Sequence, residues 1–150
     1  MEIRMLNKDE ELPMALLLQA DPSRKLIEEY IHRGTCFIAE VEHQLIGICV
    51  LLPTRPETME LVNIAVVEDQ QGKGIGKKLV LDAIKTAQNM GYKTIEVGTG
   101  NSSLGQLALY QKCGFRINSV DVNFFIKHYA EEIFENGIQC RDMIRLSQDL

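Results

Sequence analysis

Three glycines at alternate positions, Gly72, Gly74 and Gly76, lie in the stretch EDQQGKGIGKKLV, between the apolar run Leu61 to Val67 and a helical pattern. The nearly unbroken apolar run reads as a strand, MELVNIAVV, buried on both faces. After the glycines, Ile75, Leu79, Val80, Ala83, Ile84, Ala87 and Met90 share one stripe, with Lys77, Lys78, Asp82, Lys85 and Gln88 opposite. That spacing predicts an amphipathic helix ended by Gly91. YKTIEVGTG is then another strand, so strand, crossover helix and strand make a parallel unit. The glycines thus sit where a helix begins, with N–H groups lacking carbonyl partners at the positive end of the helix dipole. Such a junction binds anions, and absent side chains let a phosphate reach the backbone. One glycine there would read as a tight turn, but three within five residues favour a phosphate site.

The rest of the chain alternates strands with helices. EIRML alternates enough for a first strand, and Asp9 to Ala20 reads as a helix that tolerates Pro13 in an early turn. Ser23 is the expected N-cap of a second helix, with Leu26, Ile27, Tyr30 and Ile31 as its apolar face and Gly34 as its stop. TCFIAEV and QLIGICVLL read as an antiparallel hairpin about Glu42 and His43, and PTRPET as the next turn. Later, SSLGQLALYQKC predicts a helix capped by Ser102 or Ser103 and closed by Gly114, and FRINSV a sixth strand. NFFIKHYAEEIFENG has no clean period, and IQCRDMIRL has enough alternation for a closing strand.

No repeat, low-complexity tract or linker divides the sequence, so residues 1–150 read as a single domain, long enough to bury a core without staples. The net charge of -5 with scattered basic residues lacks the electrostatic footprint of a nucleic-acid binder. No apolar run is long enough to span a bilayer, and no signal-peptide pattern opens the chain, so neither membrane nor secretion is expected. Cys36, Cys49, Cys113 and Cys140 lie singly, without metal-ligand spacing, and read as reduced thiols of a cytoplasmic protein with no metal.

Spacing narrows the phosphate. A dinucleotide fingerprint starting at Gly72 needs a glycine where Lys77 stands, although Glu96 falls about where a ribose-binding acid is sought. A Walker loop needs glycine at Gln71 and Ser or Thr at Lys78, and fails twice. What remains, Gln71-x-x-Gly74-x-Gly76, resembles the pyrophosphate-binding signature of the GNAT superfamily of acetyl-coenzyme A-dependent N-acetyltransferases. NIAVVEDQQGKGIG is similar to that family's fourth strand and its turn into the third helix. NSSLGQLALYQKCGF is similar to the block that holds an asparagine after the fifth strand and a tyrosine before a glycine-phenylalanine pair. The resemblance spans Glu60 to Phe115 and implies an α/β (α+β) domain. Its sheet would be mixed and mostly antiparallel, of about seven strands, with a parallel β4-α3-β5 unit and flanking helices.

The resemblance implies roles position by position. The backbone of Gln71, Gly72, Lys73, Gly74, Ile75, Gly76 and Lys77 would hold the pyrophosphate of acetyl-CoA, the acyl donor. Ile64, Ala65 and Val66 would pair with its pantetheine arm as an added strand does, where strands four and five splay apart. Asn101 would contact the cofactor near the mouth of that splay, although after GTG it also reads as a turn residue. Tyr110 would protonate the departing thiolate, and Glu60 falls where some members keep a general-base glutamate. A solvated strand-end carboxylate is an equal reading of Glu60, since many relatives use water chains. Deprotonating a lysine-like amine at neutral pH costs about 4 to 5 kcal/mol, against about 1 for an α-amino group, so the first class needs a base more. The backbone of Val66 is the candidate donor to the carbonyl oxygen.

Phe124, Phe125, His128 and Tyr129 either line the site of the amine substrate or only pack, within the chain or at a dimer contact. His32, His43 and His128 read as solvated, and nothing near Cys113 favours covalent catalysis. The function implied is acetyl transfer to a primary amine, of a small molecule or a protein, by direct attack in a ternary complex. A homodimer is compatible with that reading. Non-catalytic acyl-CoA sensing and a nucleotide-binding regulatory domain are the alternatives.

Overall fold

Thr58–Val66, the strand that leads to the glycines, is β4, and it lies at the centre of a seven-stranded sheet. The computed structural model describes all residues, 1–150. In chain order the elements are β1 (Glu2–Met5), α1 (Met14–Ala20), α2 (Arg24–Ile31), β2 (Thr35–Val41), β3 (Gln44–Arg55) and β4. There follow α3 (Ile75–Asn89), β5 (Thr94–Gly100), α4 (Leu104–Lys112), β6 (Arg116–Asp121), α5 (Phe124–His128), β7 (Phe134–Glu135), β8 (Ile138–Gln139) and β9 (Met143–Asp149). The sheet order is β1-β2-β3-β4-β5-β9-β6, and β7 and β8 form a separate two-stranded hairpin. β4 and β5 pair in parallel, as a strand-helix-strand crossover demands, and the other neighbours pair antiparallel. The expected mixed, mostly antiparallel sheet with one parallel unit is therefore present.

Two apolar layers sandwich β3 and β4. On one face Leu79, Val80 and Ala83 of α3 pack with Leu61, Ile64, Ile95 and Phe115. On the other, Leu16 and Leu17 of α1 and Ile27 and Ile31 of α2 pack with Ile48, Val50 and Ala65. Burial on both faces explains why Leu61 to Val67 shows no polar alternation. The exception is Asn63, which is buried and reaches out to α1 and α2.

A β-bulge shapes the site. Leu51 faces Leu61 and Val50 faces Asn63, so Val62 is an extra residue on β4. The parallel ladder with β5 runs from Thr58 and Thr94 to Leu61 and Val97 and stops there. A bulge bends its strand and increases local twist, so β4 turns away from β5 from Val62 onward. The expected splay follows.

Several boundaries differ from expectation. α1 starts at Met14 rather than Asp9, because Glu10 folds back to accept hydrogen bonds from Arg4 and the Asn7 N–H, and Pro13 becomes the N-cap. PTRPET is mostly strand, since β3 runs to Arg55 and β4 resumes at Thr58. Met90 caps α3 exposed rather than completing its apolar stripe. The expected closing strand splits, with Ile138 and Gln139 joining the small hairpin and β9 starting only at Met143.

Candidate functional site

Leaving the splay, the chain passes through a short 3-10 turn, Glu68–Gln70, into the glycines. Gly72 and Gly74 have φ of 78° and 80°, the left-handed region that side chains resist, and Gly74 is the N-cap of α3. A Cβ on either would meet nothing within 4 Å, so the loop turns its bare backbone to open space. Gln71 N–H donates to Glu68 O and Lys78 N–H to Gly74 O. Between them, no protein acceptor serves the N–H groups from Gly72 to Lys77. These converging donors fit a pyrophosphate without demanding any side chain. Gln71, Gly72, Gly74, Ile75 and Gly76 line a depression there, while Lys73 and Lys77 stand exposed beside it.

That depression continues into a cleft of about 680 Å³ within the splay. Ile64, Ala65 and Val66 line both spaces. Val67 N–H donates to Ile46 O of β3 at 2.9 Å, so by the alternation of an extended backbone Val66 N–H points the other way, into the splay. Val66 O accepts from Gln71 Nε2 at 3.0 Å, which ties the strand end to the loop. The β4 edge is thus free for an extended ligand, as in strand addition.

Tyr110 enters the cleft wall from the last turn of α4 and is only 3 % exposed. Phe115 holds it edge-on at 5.9 Å, and the Phe115 N–H donates to Tyr110 O at 3.0 Å. Burial, with a smaller contribution from Cys113, pushes the phenol above its ordinary range, so it remains a proton donor. Glu60 lines the same cleft on β4. Burial raises its carboxyl pKa, and the Arg145 and Arg55 guanidinium groups partly oppose the rise. A carboxylate held above its ordinary range is better matched to a base working near neutrality.

Asn101 ties the end of β5 to the chain before β9. Its Nδ2 donates to Gln139 O at 3.1 Å, and its Oδ1 accepts from Arg141 N–H at 2.8 Å and Asp142 N–H at 3.0 Å. The amide holds the segment before β9 with one Nδ2 hydrogen left uncommitted, and it stands outside the residues that line the cleft. Ser103 is the N-cap residue of α4 as expected, but its hydroxyl donates to Glu135 at 2.8 Å instead of capping the helix.

Phe124, Phe125 and Tyr129 line the cleft, whereas His128 is exposed and stacks on Phe124. Asp21, Tyr30, Asn63 and Glu135 also line it, and sequence reasoning passed them over. A polar Asn63 inside an otherwise apolar buried strand was the available signal. Asp21, in the helix connection DPSR, carried none. The four cysteines are free and buried, and burial raises the Cys113 and Cys140 thiols above the ordinary range, against nucleophilic use. No group of three or more His, Cys, Asp or Glu is placed to hold a metal ion, and no helix is long and apolar enough to cross a membrane.

A loop of bare N–H donors thus opens into a splayed parallel pair, with a buried tyrosine in its wall. Residues 4–115 match the sequence profile of the Acetyltransferase (GNAT) family, and the chain belongs to that family. It is 62% identical over 135 residues to "Uncharacterized N-acetyltransferase YvbK" of Bacillus subtilis (strain 168), which covers 90% of this chain and 87% of the relative. Its fold is similar to that of a Bacillus subtilis acetyltransferase in complex with CoA, with a TM-score of 0.94 and 57% identity over 99% of this chain and 97% of the other. It is similar also to a GNAT family acetyltransferase from Elizabethkingia anophelis with acetyl-CoA bound, with a TM-score of 0.97 and 48% identity over 99% and 97%. The protein is accordingly an acyltransferase of a family that takes its acyl group from acetyl-CoA.

Proposed function

We propose that the protein moves the acetyl group of acetyl-CoA to a primary amine by direct attack within a ternary complex. The observation that carries this reading is the continuity of the two spaces. The unpartnered N–H groups from Gly72 to Lys77 lead along the free edge of β4 to a cleft that Tyr110 and Glu60 both line. Bound along that path, acetyl-CoA supplies a thioester whose acetyl carbon bonds to the amine nitrogen as its C–S bond breaks.

The chain's residues divide the remaining work. Glu60, directly or through water, takes a proton from the amine so that its lone pair is free. Val66 N–H donates to the carbonyl oxygen as negative charge gathers there, which a preorganised donor in a water-poor cleft stabilises strongly. Tyr110 gives its hydroxyl proton to the sulfur as it leaves. A phenol of ordinary pKa about 10 opposite a thiol of about 8.5 would transfer uphill by about 2 kcal/mol. Burial widens that gap on the phenol side, so the proton passes only as the thiolate forms in the cleft, where poor solvation raises the sulfur's own proton affinity. Asn101 acts through the segment it clamps and is a positioning residue.

The test is release of coenzyme A from acetyl-CoA across a panel of amines, with a blank lacking amine and mass detection of each acetylated product. Release that depends on one amine class, with the matching product, is the expected result. Silence across the panel in a preparation that binds CoA would remove the reaction and leave a sensor of acyl-CoA.

A further inference from the structure

The cleft extends past Glu60 to a wall built from the α1-α2 connection and α5, and its polar groups there form one network. Tyr129 Oη donates to Asp21 Oδ1 at 2.9 Å and Tyr30 Oη to Asp21 Oδ2 at 3.3 Å. Ser23 N–H adds a third donor at 3.0 Å. The Tyr129 bond joins segments 108 residues apart in sequence and so bridges the two sides of the cleft. Asn63 Nδ2 donates to Tyr30 Oη at 3.0 Å and to Leu17 O at 3.1 Å.

Charge is unbalanced at one point in this wall. Glu29 is paired with Arg33 at 3.3 Å, both exposed. Glu60 feels Arg145 and Arg55, and Glu135 accepts from Ser102 and Ser103 at the start of α4. Asp21 has no cation and only neutral donors, which orient a carboxylate without cancelling its charge. Asn63 adds an independent observation at the same wall. It is 3 % exposed, lines the cleft, and its Oδ1 is the buried side-chain polar atom with no partner. An orphaned buried acceptor costs about 1–3 kcal/mol, which a ligand N–H removes. Phe125 and Tyr129 line the same stretch, and Phe124, whose ring already carries the Arg145 guanidinium at 5.8 Å, shows that this wall accepts a cation.

From this arrangement we infer that the amine substrate carries a second cationic nitrogen, received by Asp21 between Tyr30 and Tyr129, with Asn63 Oδ1 taking a substrate N–H. The inference rests on the amine-acetylation reading and names its substrate class: diamines and longer polyamines rather than monoamines or amino acids. An amino acid would bring its carboxylate toward Asp21 and be repelled.

Acetylation of α,ω-diamines of graded length is compared with that of monoamines and amino acids of matching length, in wild type and Asp21→Asn. CoA binding is followed calorimetrically in both. The best diamine should exceed its monoamine by at least about tenfold in kcat/KM, as a charge-assisted hydrogen bond supplies, and Asp21→Asn should erase most of that ratio, chiefly through KM. Equal use of monoamines, a preference for amino acids, or a ratio unchanged in Asp21→Asn overturns the inference. A second measurement needs neither variant nor turnover: binding of a bis-quaternary alkyl dication against its mono-quaternary counterpart to the wild-type CoA complex. If no amine is acetylated yet the dication binds preferentially, the subsite stands and the transfer reaction falls. No preference for the dication sinks the subsite itself.

Discussion

Glu60 carries its charge in a half-buried wall, where burial favours the neutral acid and Arg145 and Arg55 oppose it, leaving the carboxyl above its ordinary range. Its folded pKa being raised, its contribution to stability is fully present below the ordinary carboxylate value of about 4.3 and is lost as pH rises through the raised value. The base role proposed for it runs the other way and would fail as pH falls through that same value. Glu60→Gln is therefore expected to raise Tm at neutral pH while lowering kcat by about 10²-fold or more and removing the acid limb of the rate profile. A paired melting series and pH-rate profile check this, and an unchanged kcat would transfer the role to a water chain. Tyr110→Phe is expected to lower kcat by about ten- to a hundredfold with the Kd for CoA almost unaltered. Because burial keeps the phenol protonated, Tyr110 adds no alkaline limb below about pH 10.

At the scale of elements, the loop before α3 and the segment before β9 make opposite demands. The loop works through backbone, so charge placed there is felt directly by a phosphate. Gly74→Asn and Gly74→Asp have similar shape and both tolerate positive φ, and only the second adds an anion. CoA should bind the Asp variant at least about tenfold more weakly than the Asn variant, read by calorimetry. The segment before β9 hangs on a side chain instead. Asn101→Ala removes three hydrogen bonds to its backbone. At about 1 kcal/mol each the loss is about 3 kcal/mol, with faster hydrogen exchange confined to residues 134–142. The loop and its helix were legible because glycine spacing and a long apolar stripe are local signals. The region between β6 and β9 was not, since a five-residue helix and two-residue strands are too short to repeat a period. Its shape comes from Asn101 and Asp21, bonded to residues far along the chain. The same distance hid the Asp21 network, although its aromatic members Phe124, Phe125 and Tyr129 stood out as candidates.

For the molecule as a whole, the donor site is open and its N–H groups unsatisfied, so ligand should stabilise the fold measurably. CoA at about 100 times its Kd adds about 2.7 kcal/mol, which for a chain of this length raises Tm by roughly 5–10 °C. Differential scanning calorimetry checks the rise, and the Gly74→Asp variant, binding at least about tenfold more weakly, should show about half of it or less. The bulge at Val62 has a wider consequence. By turning β4 away from β5 it divides the duties of one strand between its edge and its face. The edge offers N–H and C=O groups common to every residue but proline, whereas the face offers Glu60 and Asn63, which any substitution changes. In the proposed reaction the use of coenzyme A is thereby insulated from mutation, and the choice of amine is left free to drift along the same stretch of chain.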